Sequence, residues 1–141
     1  MSSRNPHEQP CWFDLGDVAV VPVVETPRLL IDPDEFFPGL AVDRGEWCFQ
    51  APWFDGAASR LVYAIQAFLV VTPGRAVLVD ACVGAGKRRA RPVFDDLDDG
   101  WLAAFEATGV APSDITSVVL THLHVDHVGW ATRADRSAQC G

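Results

Sequence analysis

At 141 residues, with 49% of them hydrophobic, the chain is long enough for one domain and apolar enough to build a core. Its net charge of -8 disfavours nonspecific binding to nucleic acid or anionic membranes, and no uninterrupted apolar stretch reaches membrane-spanning length. Five tryptophans and eight phenylalanines argue against disorder. Cys11, Cys48, Cys82 and Cys140 have neither a disulfide-framework nor a zinc-finger spacing, so ordinary thiols in a cytoplasmic setting are expected.

In chain order, residues 1–16 read as a flexible arm, and Met1 to Pro10 has no apolar core for a signal peptide. Val18 to Val24 reads as a strand interrupted by Pro22, which predicts an edge position or a bulge. Pro27 to Gly39 is loop-rich, with a short strand at Leu29 to Ile31. Trp47, Trp53 and Phe54 follow among Gly, Pro and Asp, as core anchors or as packing for another surface.

From Leu61 the pattern sharpens. Leu61 to Val71 and Ala76 to Asp80 read as a hairpin whose Thr72-Pro73-Gly74-Arg75 has the Pro-Gly order of a type II turn. Gly84-Ala-Gly86-Lys87 invites a phosphate-loop reading. Ala81 stands where the first glycine belongs and Arg88 where Ser or Thr belongs, so that reading is rejected. Lys87, Arg88, Arg89 and Arg91 are followed at once by Asp95, Asp96, Asp98 and Asp99, which predicts a self-neutralising loop rather than a polyanion site. Asp98 to Thr108 reads as a helix with Trp101, Ala104, Phe105 and Thr108 on one face and Gly109 as its stop.

Val118 to Thr121 then reads as an inner strand buried on both faces, and it leads into His122-Leu-His124-Val-Asp126-His127. In extended chain, alternate side chains point the same way, so His122 and His124 can offer two imidazole nitrogens to one ion. Asp126 and His127 diverge and can serve a second ion or its water. This donor set suits zinc, manganese or iron(II) better than calcium. A lone histidine is ordinarily a surface residue or one satisfied by a core hydrogen bond. Three with an aspartate at this spacing favour a metal site, carried in a loop at the carboxyl end of a strand.

Here the sequence resembles the metallo-β-lactamase superfamily of hydrolases, whose signature has the same order of His, any, His, any, Asp, His. The resemblance runs from Arg60 to Arg133 and takes in Phe68 to Gly74, Val77-Leu-Val-Asp80, Val83-Gly84, Lys87 and Thr121 through Trp130. Phe68 to Gly74 and Val77 to Asp80 look like the family's paired strands, and Val83-Gly84, Lys87 and Thr121 through Trp130 look most like the branch holding acyl-homoserine lactonases and organophosphate hydrolases. The resemblance implies an α/β (α+β) fold, the N-terminal half of an αβ/βα four-layer sandwich, over residues 17–133, with 134–141 an unpatterned tail. It implies two zinc ions, with manganese or iron as substitutes: His122 and His124 on the first, Asp126 and His127 on the second. Asp80 would be structurally important, and Asp126 would also orient the nucleophile or move a proton.

The implied reaction is hydrolysis of a small-molecule ester, lactone or phosphotriester by a metal-bound hydroxide. The family also uses a downstream histidine, aspartate and histidine. Outside the motif the sequence offers only His7, and after His127 only Asp135 is acidic, so the site is expected to be incomplete and the coding sequence to end early. A non-catalytic remnant and an interaction module that self-associates through an exposed half-core are the competing readings.

Overall fold

The computed structural model describes residues 12–39 and 52–132. It divides into two compact units: residues 1–25 with 66–141, and residues 26–65. Trp47, Cys11, Cys48 and Cys140 lie outside the described residues.

Among the described residues, six strands form one sheet: β1 (Phe13–Leu15), β2 (Val18–Ile31), β3 (Phe54–Asp55), β4 (Arg60–Thr72), β5 (Arg75–Val79) and β6 (Ser117–Val119). The strand order is β1-β2-β4-β5-β6, with β3 paired to β4. Both β2 and β4 run from one unit into the other.

In the larger unit, β1 lies antiparallel to β2 with Phe13 opposite Val20, within the segment expected as an arm. Pro22 does not break β2. It lies two residues beyond Val20, where the pairing of β1 with β2 ends. The expected hairpin is present: β4 and β5 are antiparallel from Phe68 opposite Val79 to Thr72 opposite Arg75. Gly74 at φ 80 supplies the left-handed residue that a Pro-Gly type II turn requires.

Alternation puts Ala67, Leu69, Ala76 and Leu78 inside, with Val21 and Val23 of β2. The helix Gly100–Glu106 adds Trp101 and Phe105 to this core. The indole N–H of Trp101 donates to the Val23 carbonyl at 3.1 Å, which satisfies the one polar atom of a buried ring. The helix is shorter than its sequence pattern. The Asp98 side chain accepts from the Gly100 amide at 2.9 Å and so precedes the helix, Ala104 is exposed, and Thr108 is buried.

β6 is parallel to β5, with Leu78 opposite Val118. The expectation of a strand buried on both faces is corrected: Val118 is 45% and Val119 49% exposed. β6 stands at the end of the strand order, and a run of apolar residues records only that a cover is wanted, not which atoms provide it. An apolar cleft of roughly 200 Å³ lies beside it, lined by Leu78, Trp101, Phe105, Ile115, Val118 and Trp130 among others. No helix among the described residues is long and apolar enough to cross a membrane.

In the smaller unit, Leu29 to Ile31 continue β2 rather than forming a strand of their own. Ile31, Phe54 and Leu61 pack with Tyr63, and Trp53 is exposed. Helix α1 (Pro33–Phe36) starts at Asp32, whose side chain accepts the Asp34 amide at 3.0 Å, with Pro33 in the position that needs no donor. Arg28 pairs with Asp55, and Arg60 with Asp32 at 3.2 Å.

Candidate functional site

The motif leaves β6 and lies against the segment that follows β5. Asp80 directly follows β5 in a left-handed conformation, φ 60, and its side chain meets the motif. One carboxylate oxygen accepts the Thr121 amide at 2.9 Å, and the Thr121 hydroxyl lies 2.9 Å from both oxygens. The second oxygen stands 2.9 Å from Nδ1 of His127. Burial pushes the Asp80 carboxyl up, but the Thr121 amide, the His127 ring and the Thr121 hydroxyl outweigh it, so it titrates below the usual carboxylate range.

These contacts fix which nitrogens remain for other work. His127 gives its Nδ1 hydrogen to Asp80, and its Nε2 faces Asp126 Oδ2 at 3.5 Å. Nδ1 of His122 meets the Thr121 hydroxyl at 3.1 Å, and its Nε2 faces Nδ1 of His124 at 3.0 Å. The four motif donors therefore fall into two pairs, His122 with His124 and Asp126 with His127. The His122 and His127 ring centroids are 3.9 Å apart, so the pairs adjoin. Among the described residues no group of three or more such side chains is arranged to hold one ion. His122 and His124 are exposed, while Asp126 and His127 are half-buried.

The donor set can be tested against a metal without placing one. Two nitrogens bound tetrahedrally to one zinc lie ~3.3 Å apart, from bonds of ~2.05 Å. The 3.0 Å between His122 Nε2 and His124 Nδ1 is close to that span. A carboxylate behind a ligand histidine sets its tautomer and raises its basicity, which is the place Asp80 takes behind His127. The residues fit such an ion in chemistry and spacing, with two donors in each pair.

The loop is held from beneath by main chain. The His127 carbonyl accepts the Ala81 amide at 2.8 Å, the Gly129 amide donates to Cys82 at 2.7 Å, and the Trp130 amide donates to Ala81 at 2.6 Å. Gly129 lies flat on Val83 and Gly84, where a Cβ would stand 1.8 Å from the Val83 carbonyl oxygen. Only glycine fits there.

Two further residues of this assembly carried no sequence signal of their role. Glu25 accepts from the Val83 amide at 2.8 Å, the Gly84 amide at 3.1 Å and the Trp130 indole at 2.7 Å. Lys87 donates to the Gly129 carbonyl and to the carbonyl and hydroxyl of Thr132, at 2.8 and 2.9 Å. Lys87 belongs to the basic run expected to neutralise itself, and that run does so at Arg88, which pairs with Asp95 at 3.0 Å. Cys82, beside the site, is fully buried and unpaired. Burial, then the charges of Glu25, Asp80 and Asp126, push its thiol far up, so it is no nucleophile.

Comparison with known proteins places this arrangement. The family model of the metallo-beta-lactamase superfamily matches residues 61–140. Among solved structures, a probable metal-dependent hydrolase from Staphylococcus aureus is similar at 21% identity and a TM-score of 0.65, over 85% of this chain and 43% of that one. Hydrolase AbOPH of the beta lactamase superfamily is similar at 21% identity and 0.68, over 89% and 40%. AidC, a dizinc quorum-quenching lactonase solved with a product, N-hexnoyl-L-homoserine, is similar at 21% identity and 0.62, over 86% and 38%. No curated protein sequence matches. The chain thus spans 38 to 43% of the length of these three structures. With the family match covering more than half of its residues and the same fold in all three neighbours, the chain belongs to the metallo-β-lactamase superfamily.

Proposed function

We propose that this chain carries the first metal-binding segment of a hydrolase that cleaves a small-molecule ester, lactone or phosphotriester. The observation that carries the reading is the division of the motif into His122 Nε2 with His124 Nδ1 at 3.0 Å and Asp126 Oδ2 with His127 Nε2 at 3.5 Å. Each pair presents two donors of the kind zinc accepts, with manganese or iron(II) as substitutes. Bound there, such ions supply Lewis acidity and lower the pKa of a water to near neutrality.

The chain's own residues do the rest. Thr121 meets Nδ1 of His122 and Asp80 meets Nδ1 of His127, so each ring turns its Nε2 towards the other member of its pair. Asp126 reaches the same space as His127 and is placed to orient the attacking water or to take its proton. The lactone class is favoured by the likeness to AidC, a lactonase, and the phosphotriester class remains its competitor. Residues 17–133 are assigned to the metallo-β-lactamase-like domain and 134–141 to a tail; of the segment 1–16 read as an arm, Phe13–Leu15 pairs with β2 and joins the domain's sheet. The spacing of the cysteines supports a cytoplasmic setting.

A zinc site needs three or four protein ligands, so two per pair predict weak binding and little or no hydrolysis by these 141 residues alone. A second reading has its own support: exposed Val118 and Val119 on β6 favour pairing with another copy or chain. The test is hydrolysis of a lactone and a phosphotriester by the purified chain and by its His122→Ala, His124→Ala, Asp126→Ala and His127→Ala variants, with and without chelator. Any activity is expected to disappear with chelator and in each variant. Activity surviving all four substitutions would remove the motif as its source.

A further inference from the structure

The geometry points to Glu25 and Lys87 as positioning residues that grip the segment after His127 from two sides and so set where His127 meets Asp80. Neither touches a motif side chain in the contacts described above. Glu25 uses both carboxylate oxygens: one takes the Val83 amide, the other the Gly84 amide and the Trp130 indole. It therefore joins β2, the turn after β5 and Trp130, three residues beyond the motif. Lys87 closes the other side, its ammonium reaching Gly129 and Thr132.

Between the two grips, Gly129 rests on Val83 and Gly84 with no space for a methyl group, and Ala81 holds the His127 carbonyl. Cys82, at φ 45, lies in a conformation that a non-glycine residue adopts only when its surroundings impose it. A carboxylate bonded to the two amides that follow Cys82 is such a surrounding. Loosening either grip lets residues 127–132 slide over 81–84, and the 2.9 Å contact between His127 and Asp80 is the first to feel it. Sequence separation hides this device: Glu25 and Trp130 are 105 positions apart.

For its consequence on metal binding this inference rests on His127 as a ligand, but its geometric claim is read without metal. The experiment uses the full chain labelled with 15N-histidine, free of metal and at a pH above the ordinary histidine range, with long-range 1H–15N correlation to read each tautomer. In the unaltered chain His127 is expected as the single Nδ1–H tautomer. Lys87→Met and Glu25→Gln are each expected to give a folded chain in which His127 mixes tautomers and His122, bonded to its neighbour Thr121, does not. Lys87→Arg is expected to restore the single form.

Folded Lys87→Met protein with an unchanged His127 overturns the proposal. So does a Lys87→Met chain that fails to fold, because Lys87 would then sustain the fold at large. Should Glu25→Gln alone unfold, the Lys87→Met and Lys87→Arg comparison decides. Cobalt(II) titration adds the functional arm: Lys87→Met is expected to weaken binding at the Asp126 and His127 pair about tenfold. Failure of cobalt to bind the unaltered chain counts against the metal reading and leaves the tautomer result to judge the grip.

Discussion

Asp80 Oδ2 stands 2.9 Å from Nδ1 of His127, so the residue that follows the hairpin orients the last residue of the metal motif. The same carboxylate takes the Thr121 amide and hydroxyl, which ties the start of the motif to its end. Removing it affects both. Asp80→Ala is expected to destabilise the chain by about 1–3 kcal/mol, since it leaves the Thr121 amide and the His127 ring without their acceptor. It should also lower metal affinity at the Asp126 and His127 pair by about tenfold. Denaturant unfolding and cobalt titration read the two effects separately; a stable variant with unchanged affinity would contradict the assignment.

Gly129→Ala tests the packing beneath the site. The added methyl would stand 1.8 Å from the Val83 carbonyl oxygen, a backbone atom that cannot step aside cheaply. A loss of about 3 kcal/mol or more is expected, at the upper end of what overpacking costs. A thermal midpoint within error of the unaltered chain would show that residues 81–84 and 129 are not held face to face.

Much of this site was legible in sequence because its signals are local. The motif has its own spacing, and Pro73-Gly74 between two apolar strands dictates a hairpin. Asp80 was marked by the resemblance of Val77-Leu-Val-Asp80 to the family's second paired strand. Other features depend on partners far away in the chain. Val118 and Val119 looked like an inner strand because apolar, β-branched residues report a preference for burial, whereas the strand order puts them at an edge. Pro22 pointed to an edge position or a bulge, whereas β2 runs through it, and where the β1 pairing ends, at Val20, cannot be read from Pro22 itself. Lys87 was singled out only by the resemblance; its own position in the basic run does not show that it reaches Gly129 and Thr132.

The exposed edge carries a prediction of its own. With Val118 at 45% and Val119 at 49% exposure, the chain is expected to self-associate at micromolar concentration, and Val119→Lys is expected to reduce that association without lowering stability by more than about 0.5 kcal/mol. Light scattering of the two proteins side by side is the measurement. A monodisperse monomer in both would show that β6 needs no cover.

Cys82 is expected to be inert. Its thiol is fully buried and pushed up by that burial and by the neighbouring carboxylates. In a chain with Cys11, Cys48 and Cys140 replaced by serine, a thiol reagent should react with Cys82 only as fast as the chain unfolds, and mild alkali should not speed it. Rapid labelling of the folded protein would contradict this.

Zinc titration of the 15N-histidine-labelled chain tests the central claim most directly, because the motif is held to bind metal through particular nitrogens. The prediction is weak binding in which the His122 Nε2, His124 Nδ1 and His127 Nε2 resonances shift to values typical of metal-bound imidazole, while His7 stays unchanged. Zinc that leaves all three motif histidines unshifted, or that binds through their opposite nitrogens, would contradict the account.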